Sequence, residues 1–290
     1  FAHGCLDVLN KHFQELLNMS KAKSALVQFV FYGGYFFMAI PAGLIMQKVG
    51  YKRGIIFGLL VFASGAFLML PATLIQTFGS FLLCLFVIAC GLTCLETAAN
   101  PYTTVLGPPE YGERRINFSQ SFNGLGWIAG PLVGGMLIFS GTGNGNKFAT
   151  IALPYMLIGS LVLIVAVLFW RVRFPELKDD PHDAGSDPES AGKLKDLFRY
   201  PHFVLAVIAQ FLYVAAQTGI NSFFINYVTE EIPALTNQQA AQILGFGGMG
   251  LFWLGRFTGS TVFMRLIRPN RLLAFYAAAN VITMILVVAG

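Results

Sequence analysis

Glu96 sits within Phe78 to Tyr102, a stretch otherwise free of charge and long enough to cross a bilayer. An ionised side chain at the membrane midplane costs about 2.5 to 3.5 kcal/mol on insertion scales, so acids placed there usually face water-filled cavities and mark ion or proton paths. Asp7 is the only other acid lying equally deep in an apolar segment. Taking up a proton removes the buried charge that opposes helix movement, so Asp7 and Glu96 are the candidates for proton coupling. His3, four residues before Asp7, could relay protons; a helix-facing histidine that simply packs is the alternative.

Polar stripes run along three other apolar segments. Thr93, Glu96 or Thr97, and Asn100 recur at helical spacing, as do Asn117, Gln120 and Asn123, and then Gln210, Tyr213, Gln217 and Asn221. Three amide-rich faces with two carboxylates and no fixed cation at midplane suit a neutral, polyhydroxylated solute. Amides donate and accept at once, matching sugar hydroxyls, and rings such as Trp127, Tyr213 or Phe224 can cover the apolar face of a pyranose. The competing reading is that the amides tie helices together, at about 0.6 kcal/mol per interhelical hydrogen bond. The candidate substrate contacts are Asn100, Gln120, Asn123, Tyr213, Gln217 and Asn221.

The elements that must hold these residues are membrane helices. With 56% hydrophobic and 11% charged residues the chain exceeds what a water-soluble fold carries. Apolar windows fall at Leu26 to Met46, Gly54 to Leu70, Phe78 to Tyr102, Phe118 to Phe139, Ile151 to Trp170, Phe203 to Val228, Ala240 to Phe263 and Leu272 to Gly290. Each is too long for a barrel strand, and lipid offers no partner for backbone polar groups, so all are expected to be helices. Residues before Asn10 read as the second half of a first helix, making nine spans with the first partial. An all-α polytopic membrane protein is the expected fold class. Asp7 and His3 interrupt the only run that could resemble a signal peptide.

Basic residues gather in alternate loops, from Lys48, Lys52 and Arg53 through Arg114 and Arg115 to Arg268 and Arg271. Lys11, Lys21, Lys23 and Lys147 stand opposite, and Arg256 lies inside a span. The positive-inside rule makes the crowded loops (2–3, 4–5, 6–7 and 8–9) cytoplasmic. This alternation, rather than one basic face, argues against nucleic acid as the partner of a chain with net charge +5. Cys5, Cys84, Cys90 and Cys94 all lie in apolar segments and read as small packing residues, with no metal or disulfide pattern. Neither a nucleophile with its base nor a phosphate-cradling loop is present, so the chain is not read as an enzyme and no cofactor beyond a coupling proton is expected.

Between Arg171 and Pro201 the composition turns to Asp, Glu, Lys, Pro, Gly and Ser, as a linker would. The expected organisation is a six-helix unit at 1–171, a cytoplasmic linker at 172–201 and three helices of a second unit at 202–290. Gly33, Ala42 and Lys48 echo Gly250, Gly259 and Arg265 at one common offset, which fits two related halves. Gly126, Gly130 and Gly134 lay a smooth ridge along one helix face, for static packing or for sliding. Pro41, Pro101 and Pro131 can bend their helices.

The runs GLTCLETAANPYTTVLGPPE at Gly91 to Glu110 and RRINFSQSFNGLGWIAGP at Arg114 to Pro131 resemble the fucose/glucose/galactose–proton symporter family of the major facilitator superfamily. LDVLNKHFQ from Leu6, PAGLIMQKVGYKRG from Pro41, VTEEIPALT from Val228 and GRFTGS ending at Ser260 extend the likeness over nearly the whole chain. The resemblance implies the major facilitator fold of two six-helix bundles, here cut to about nine helices. Carried over residue by residue, it implies that Asp7 is the proton carrier, that Glu96 senses substrate or protonation, and that Gln120 and Asn123 touch sugar. Where fucose porters carry Asn three positions before the first acid, this chain has Gly4. Where the loop after the second helix often has an acid, it has Gln47. The implied activity is proton-coupled symport of a neutral monosaccharide by a monomer in the plasma membrane of a bacterium, with lipid around it. A sodium-coupled or uncoupled carrier and a non-transporting sugar sensor are the alternatives.

Overall fold

The computed structural model describes residues 2–108, 111–139, 149–172 and 198–289, all as helices and short turns. The charged stretch 173–197, read as a linker, lies outside the described residues, as does Lys147. Helix α1 spans Ala2–Leu16, α2 Lys21–Ser24, α3 Leu26–Ile75, α4 Phe78–Val105, α5 Gly112–Phe139, α6 Ala149–Arg171 and α7 Pro201–Glu231. A composite rod, α8, follows over 237–266, and α9 spans Pro269–Ala289.

Local chemistry sets the ends. Ser20 caps α2 by accepting from the Lys23 amide, and Thr77 caps α4 by accepting from Ser80. Thr236 and Gln239 close a reciprocal capping box at the start of α8, and Pro201 occupies the first turn of α7, where its missing N–H is not needed. Helix α3 is two rods: Gly50 adopts φ 78° and ψ 167°, a backbone that only glycine reaches without steric cost, and the chain doubles back there. Met46 then packs over Gly54 across the turn.

With α3 counted as two rods there are nine long helical segments among the described residues, matching the nine spans expected. Six of the helices are long and apolar enough to cross a membrane. Pro41, Pro101 and Pro131 each sit inside a continuous helix. Large side chains such as Phe29, Phe36 and Leu74 point outward, each more than 70% exposed, as lipid-facing residues must, while Phe13, Phe31, Phe81 and Tyr155 fill the interior. In the centre α4 lies against both rods of α3, so close that a Cβ on Gly91 would stand 2.4 Å from the Phe62 amide nitrogen. Such backbone approach is how apolar helices gain contact in lipid, where no hydrophobic drive operates between them.

The glycine ridge of α5 serves α1. Gly134 faces Cys5 and Val8, and the Cys5 thiol points at the Gly130 carbonyl at 3.6 Å. A different face of α5 meets α8. There Gly124 abuts Trp253, Gly135 abuts Ala241, and Gly245 presses on Leu132 and the Ile128 carbonyl. Further along, Phe118 and Phe257 pack with ring centroids 6.5 Å apart.

Basic residues collect where α4 and α6 end and α5 begins. Arg115 donates to the carbonyls of Thr103, Thr104, Gly107 and Pro108, closing the C-terminus of α4, and Lys52 donates to Trp170 O and Val172 O at the end of α6. Cations there satisfy carbonyls that lack intrahelical partners and oppose the negative end of the helix dipole. A cavity of about 320 Å³ opens at this basic end, lined by Tyr111, Arg114, Arg115, Phe118, Ser260 and Thr261.

Candidate functional site

Asp7 is 3% exposed in the middle of α1. Gln28 of α3 donates to its Oδ1 at 3.1 Å. On the other side Ser222 of α7 faces the same carboxylate. The contact stops short of a hydrogen bond, and both Asp7 Oδ2 and Ser222 Oγ are buried with no partner. One turn along α1, the Asn10 amide donates to the Ser222 carbonyl at 3.0 Å, which ties α1 to α7 directly. Gln14 then donates to Ser24 Oγ at 2.8 Å and fixes the short α2 beneath the seam.

Position 4 cannot carry a larger residue. A Cβ on Gly4 would stand 2.7 Å from Pro131 Cδ and 3.0 Å from the Gly130 Cα, so α1 and α5 meet backbone to backbone there.

Glu96 is partly buried on α4, and the Tyr35 hydroxyl of α3 donates to its Oε1 at 3.1 Å. Tyr35 belongs to a ring cluster around His3. The imidazole lies 5.0 Å from Phe31, 5.6 Å from Tyr35 and 5.0 Å from Trp127, the last tilted by only 30°. His3 thus packs among rings, the alternative that its sequence context offered. Tyr32, one turn from both Gln28 and Tyr35, is close enough to feel both acids and reaches Thr218 of α7. The two carboxylates are accordingly held by one helix, α3, through neutral donors. The first rod of α3 thus supplies the donor to each acid, Gln28 to Asp7 and Tyr35 to Glu96.

The amides of α4 and α5 converge as their spacing implied. Gln120 donates to Asn100 Oδ1 at 2.7 Å, and Asn123 donates to Gln120 Oε1 at 3.1 Å. Asn123 is exposed, so the chain of amides runs from an open surface toward the interior. Asn117 departs from its stripe: it donates to the Glu113 carbonyl and to Met264 sulfur at 3.8 Å, turning toward α8.

On α7 the buried polar face is not the stripe singled out by spacing. Tyr213 is 53% exposed, and Gln217 and Asn221 are partly buried. Ser222 and Asn226 are the buried pair, at 4% and 2%, and both polar atoms of the Asn226 amide lack a partner. Their four-residue spacing was a readable signal, but it lay one residue around the helix from a longer polar run. Arg256, read as lying inside a span, rests its guanidinium over the Phe252 ring at 5.1 Å. All four cysteines are free, and no cluster of metal-ligating residues occurs among the described residues.

Beyond the buried seam, the same end of α1 and α7 carries two exposed links. Lys21 pairs with Glu230 at 2.6 Å, and Asn237 donates to Glu15 Oε1 at 2.7 Å.

Comparison with known proteins agrees with this architecture. The model of the Major Facilitator Superfamily matches residues 1–290. The L-fucose-proton symporter of Escherichia coli is 40% identical over 294 residues, covering 95% of this chain and 67% of that protein. The glucose/galactose transporter of Brucella abortus is 34% identical, covering 98% of this chain and 69% of its own length. A crystal structure of the E. coli fucose:proton symporter superposes with a TM-score of 0.72 at 39% identity, over 95% of this chain and 71% of that one. A second, in the outward conformation, gives 0.73 over 96% and 72%. The chain belongs to the major facilitator superfamily, within the family of fucose and glucose/galactose transporters.

Proposed function

We propose that the protein is a carrier that moves a neutral monosaccharide together with a proton by alternating access, and is not an enzyme. The observation that carries this reading is the pair of intramembrane carboxylates held only by neutral donors, Asp7 by Gln28 and Glu96 by Tyr35. With no salt bridge to a lysine or arginine among the described residues, each can gain or lose a proton without stranding a partner cation. The names of the relatives support the same substrate class. Asp7 carries the proton and Glu96 senses sugar or protonation. Asn100, Gln120 and Asn123 on one side and Tyr213, Gln217 and Asn221 on the other line the sugar path. The first helices, up to residue 171, act as one rocking unit and those from 202 as part of a second, with 172–201 as their link.

In this reading the basic end faces the cytoplasm of a bacterial cell and the α1–α2 end faces outward, with the carrier a monomer in the inner membrane. No resident cofactor takes part. A membrane potential of about 100 mV contributes about 2.3 kcal/mol per charge moved, enough to drive accumulation.

The test is sugar-induced alkalinisation of the medium in sodium-free buffer, by cells or proteoliposomes holding the full-length protein. A pH rise that follows sugar addition is expected. A flat trace with sugar uptake points to an uncoupled or sodium-coupled carrier, and sugar binding without accumulation points to a sensor.

A further inference from the structure

At its basic end the close contact between α5 and α8 parts into the cavity of about 320 Å³. The two arginines that line it are differently employed. Arg115 is committed to the four carbonyls at the end of α4, whereas Arg114 is exposed and makes no hydrogen bond or ion pair among the described residues. The α8 wall has no proton to offer, because the Ser260 and Thr261 hydroxyls donate to carbonyls of their own helix, at 3.0 Å to Arg256 and 2.7 Å to Phe257. The α5 wall is the half-exposed ring of Phe118, which packs against Phe257 with centroids 6.5 Å apart and against Phe122 at 5.4 Å. An aromatic track therefore leads out of the cavity along the groove between the helices. Arg114 stands at the start of the span Gly112–Ile138, at the level of the membrane surface, and the helix rises about 12 Å from there to the exposed Phe122, within the hydrocarbon.

We propose that this groove binds an anionic phospholipid, its phosphate against the Arg114 guanidinium and the Tyr111 hydroxyl, with one acyl chain laid over Phe118 and Phe122. A guanidinium presents paired donors that match two phosphate oxygens, and it keeps its charge at any pH the membrane meets. A free phosphate would need donors around it. The inner wall of the cavity supplies only rings and hydroxyls already spent as donors, so the anion stays at the surface and what enters the groove is apolar. The positive end of the α5 dipole adds to the attraction, and Glu113, the one acid of that first turn, is exposed and does not line the cavity. Basic pockets between helices at one membrane face bind lipid headgroups by this chemistry. Because α5 and α8 each supply a wall, a bound lipid favours the arrangement in which the groove has this width. The site does not depend on the proton coupling proposed above.

The test uses the purified full-length protein in detergent micelles, titrated with phosphatidylglycerol or phosphatidylcholine carrying the same brominated chains. Bromine quenches nearby tryptophans, and Trp253 stacks on Phe257 with centroids 5.5 Å apart, beside the track. Phosphatidylglycerol should bind at least about fivefold more tightly than phosphatidylcholine, the share of one interfacial cation. R114Q should abolish that preference while leaving Tm in phosphatidylcholine unchanged, since Arg114 supports no other group. R268Q removes an exposed cation outside the cavity and should keep the preference, and W253F should remove the quenching specific to phosphatidylglycerol. Equal losses in R114Q and R268Q would reduce the effect to general surface attraction and overturn the proposal, as would equal affinity for the two lipids or specific quenching that persists in W253F. Glycerol phosphate that displaces the lipid at comparable concentration would assign the cavity to a free anion and overturn the lipid site.

Discussion

The two seams that join α1–α6 to the later helices are built from different materials. Between α1 and α7 the contact is buried and polar, with Asp7, Asn10 and Ser222 at its centre. Between α5 and α8 it is close-packed and apolar, with Gly124, Gly135 and Gly245 letting Trp253, Ala241 and Leu132 come close. A seam that holds a buried carboxylate changes its charge when that group gains or loses a proton. One made of glycine against hydrocarbon has nothing to titrate, and in the proposed cycle it is the bearing along which the halves turn. In that cycle the switch and the pivot occupy separate helices of the same interface.

Asp7→Asn should do the most damage. The amide keeps the shape but cannot cycle a proton, and concentrative uptake should fall by at least about 100-fold, which corresponds to about 2.7 kcal/mol. Sugar exchange between two equal pools needs no net proton release and should survive far better. Equal loss of both in counterflow assays would mean that the polar seam is structural rather than a switch.

Gly245→Leu attacks the bearing. Its Cβ would meet Leu132 Cγ at 2.9 Å and the Ile128 carbonyl at 3.2 Å, and overpacking of this kind costs about 1–3 kcal/mol. Uptake and exchange should drop together, by about tenfold or more, with a lower Tm in detergent. A variant that loses only accumulation would contradict the division of labour between the seams.

Tyr35→Phe removes one hydrogen bond to Glu96, worth about 0.5–1.5 kcal/mol, or roughly 3- to 10-fold in apparent sugar affinity. Equilibrium binding to the purified protein reads this directly, and an unchanged Kd would detach Tyr35 from the site. The smallest effect belongs to Lys21→Ala. Its ion pair with Glu230 is about half exposed on both sides, so uptake should change by no more than about twofold and the difference should vanish in high salt.

Much of this was legible in the chain because membranes simplify the grammar. Length and hydropathy located the nine segments, and the acids stood out at Asp7 and Glu96 because lipid tolerates so few. The stripes that bear Asn100 and that bear Gln120 and Asn123 followed from helical spacing, but not their meeting. What spacing could not supply is which helix lies against which. Gln28 and Tyr35, the partners of the two acids, sit on a segment whose polar residues look incidental until α3 is seen between α1 and α4. Ser222 and Asn226 were hidden for a related reason: the rotation of α7 about its axis decides which of two adjacent polar faces is buried, and a single residue of phase separates them. The glycine ridge was visible, but its use in seating α1 on α5 required the fold. Gly4 reads as a missing amide in one dimension and as a steric necessity in three.

The rod α8 carries two wide turns, Ile243–Met249 and Gly259–Phe263, in which hydrogen bonds skip five residues instead of four. Each such turn accommodates an extra residue and so rotates everything beyond it by about 100° relative to an unbroken α-helix. The segment between them, Gly250–Thr258, bears Trp253 and Arg256 and is joined at each end by one of these turns. The two offsets together set the phase at which Trp253 meets Gly124 of α5, a phase that an unbroken α-helix from 237 to 266 would not present.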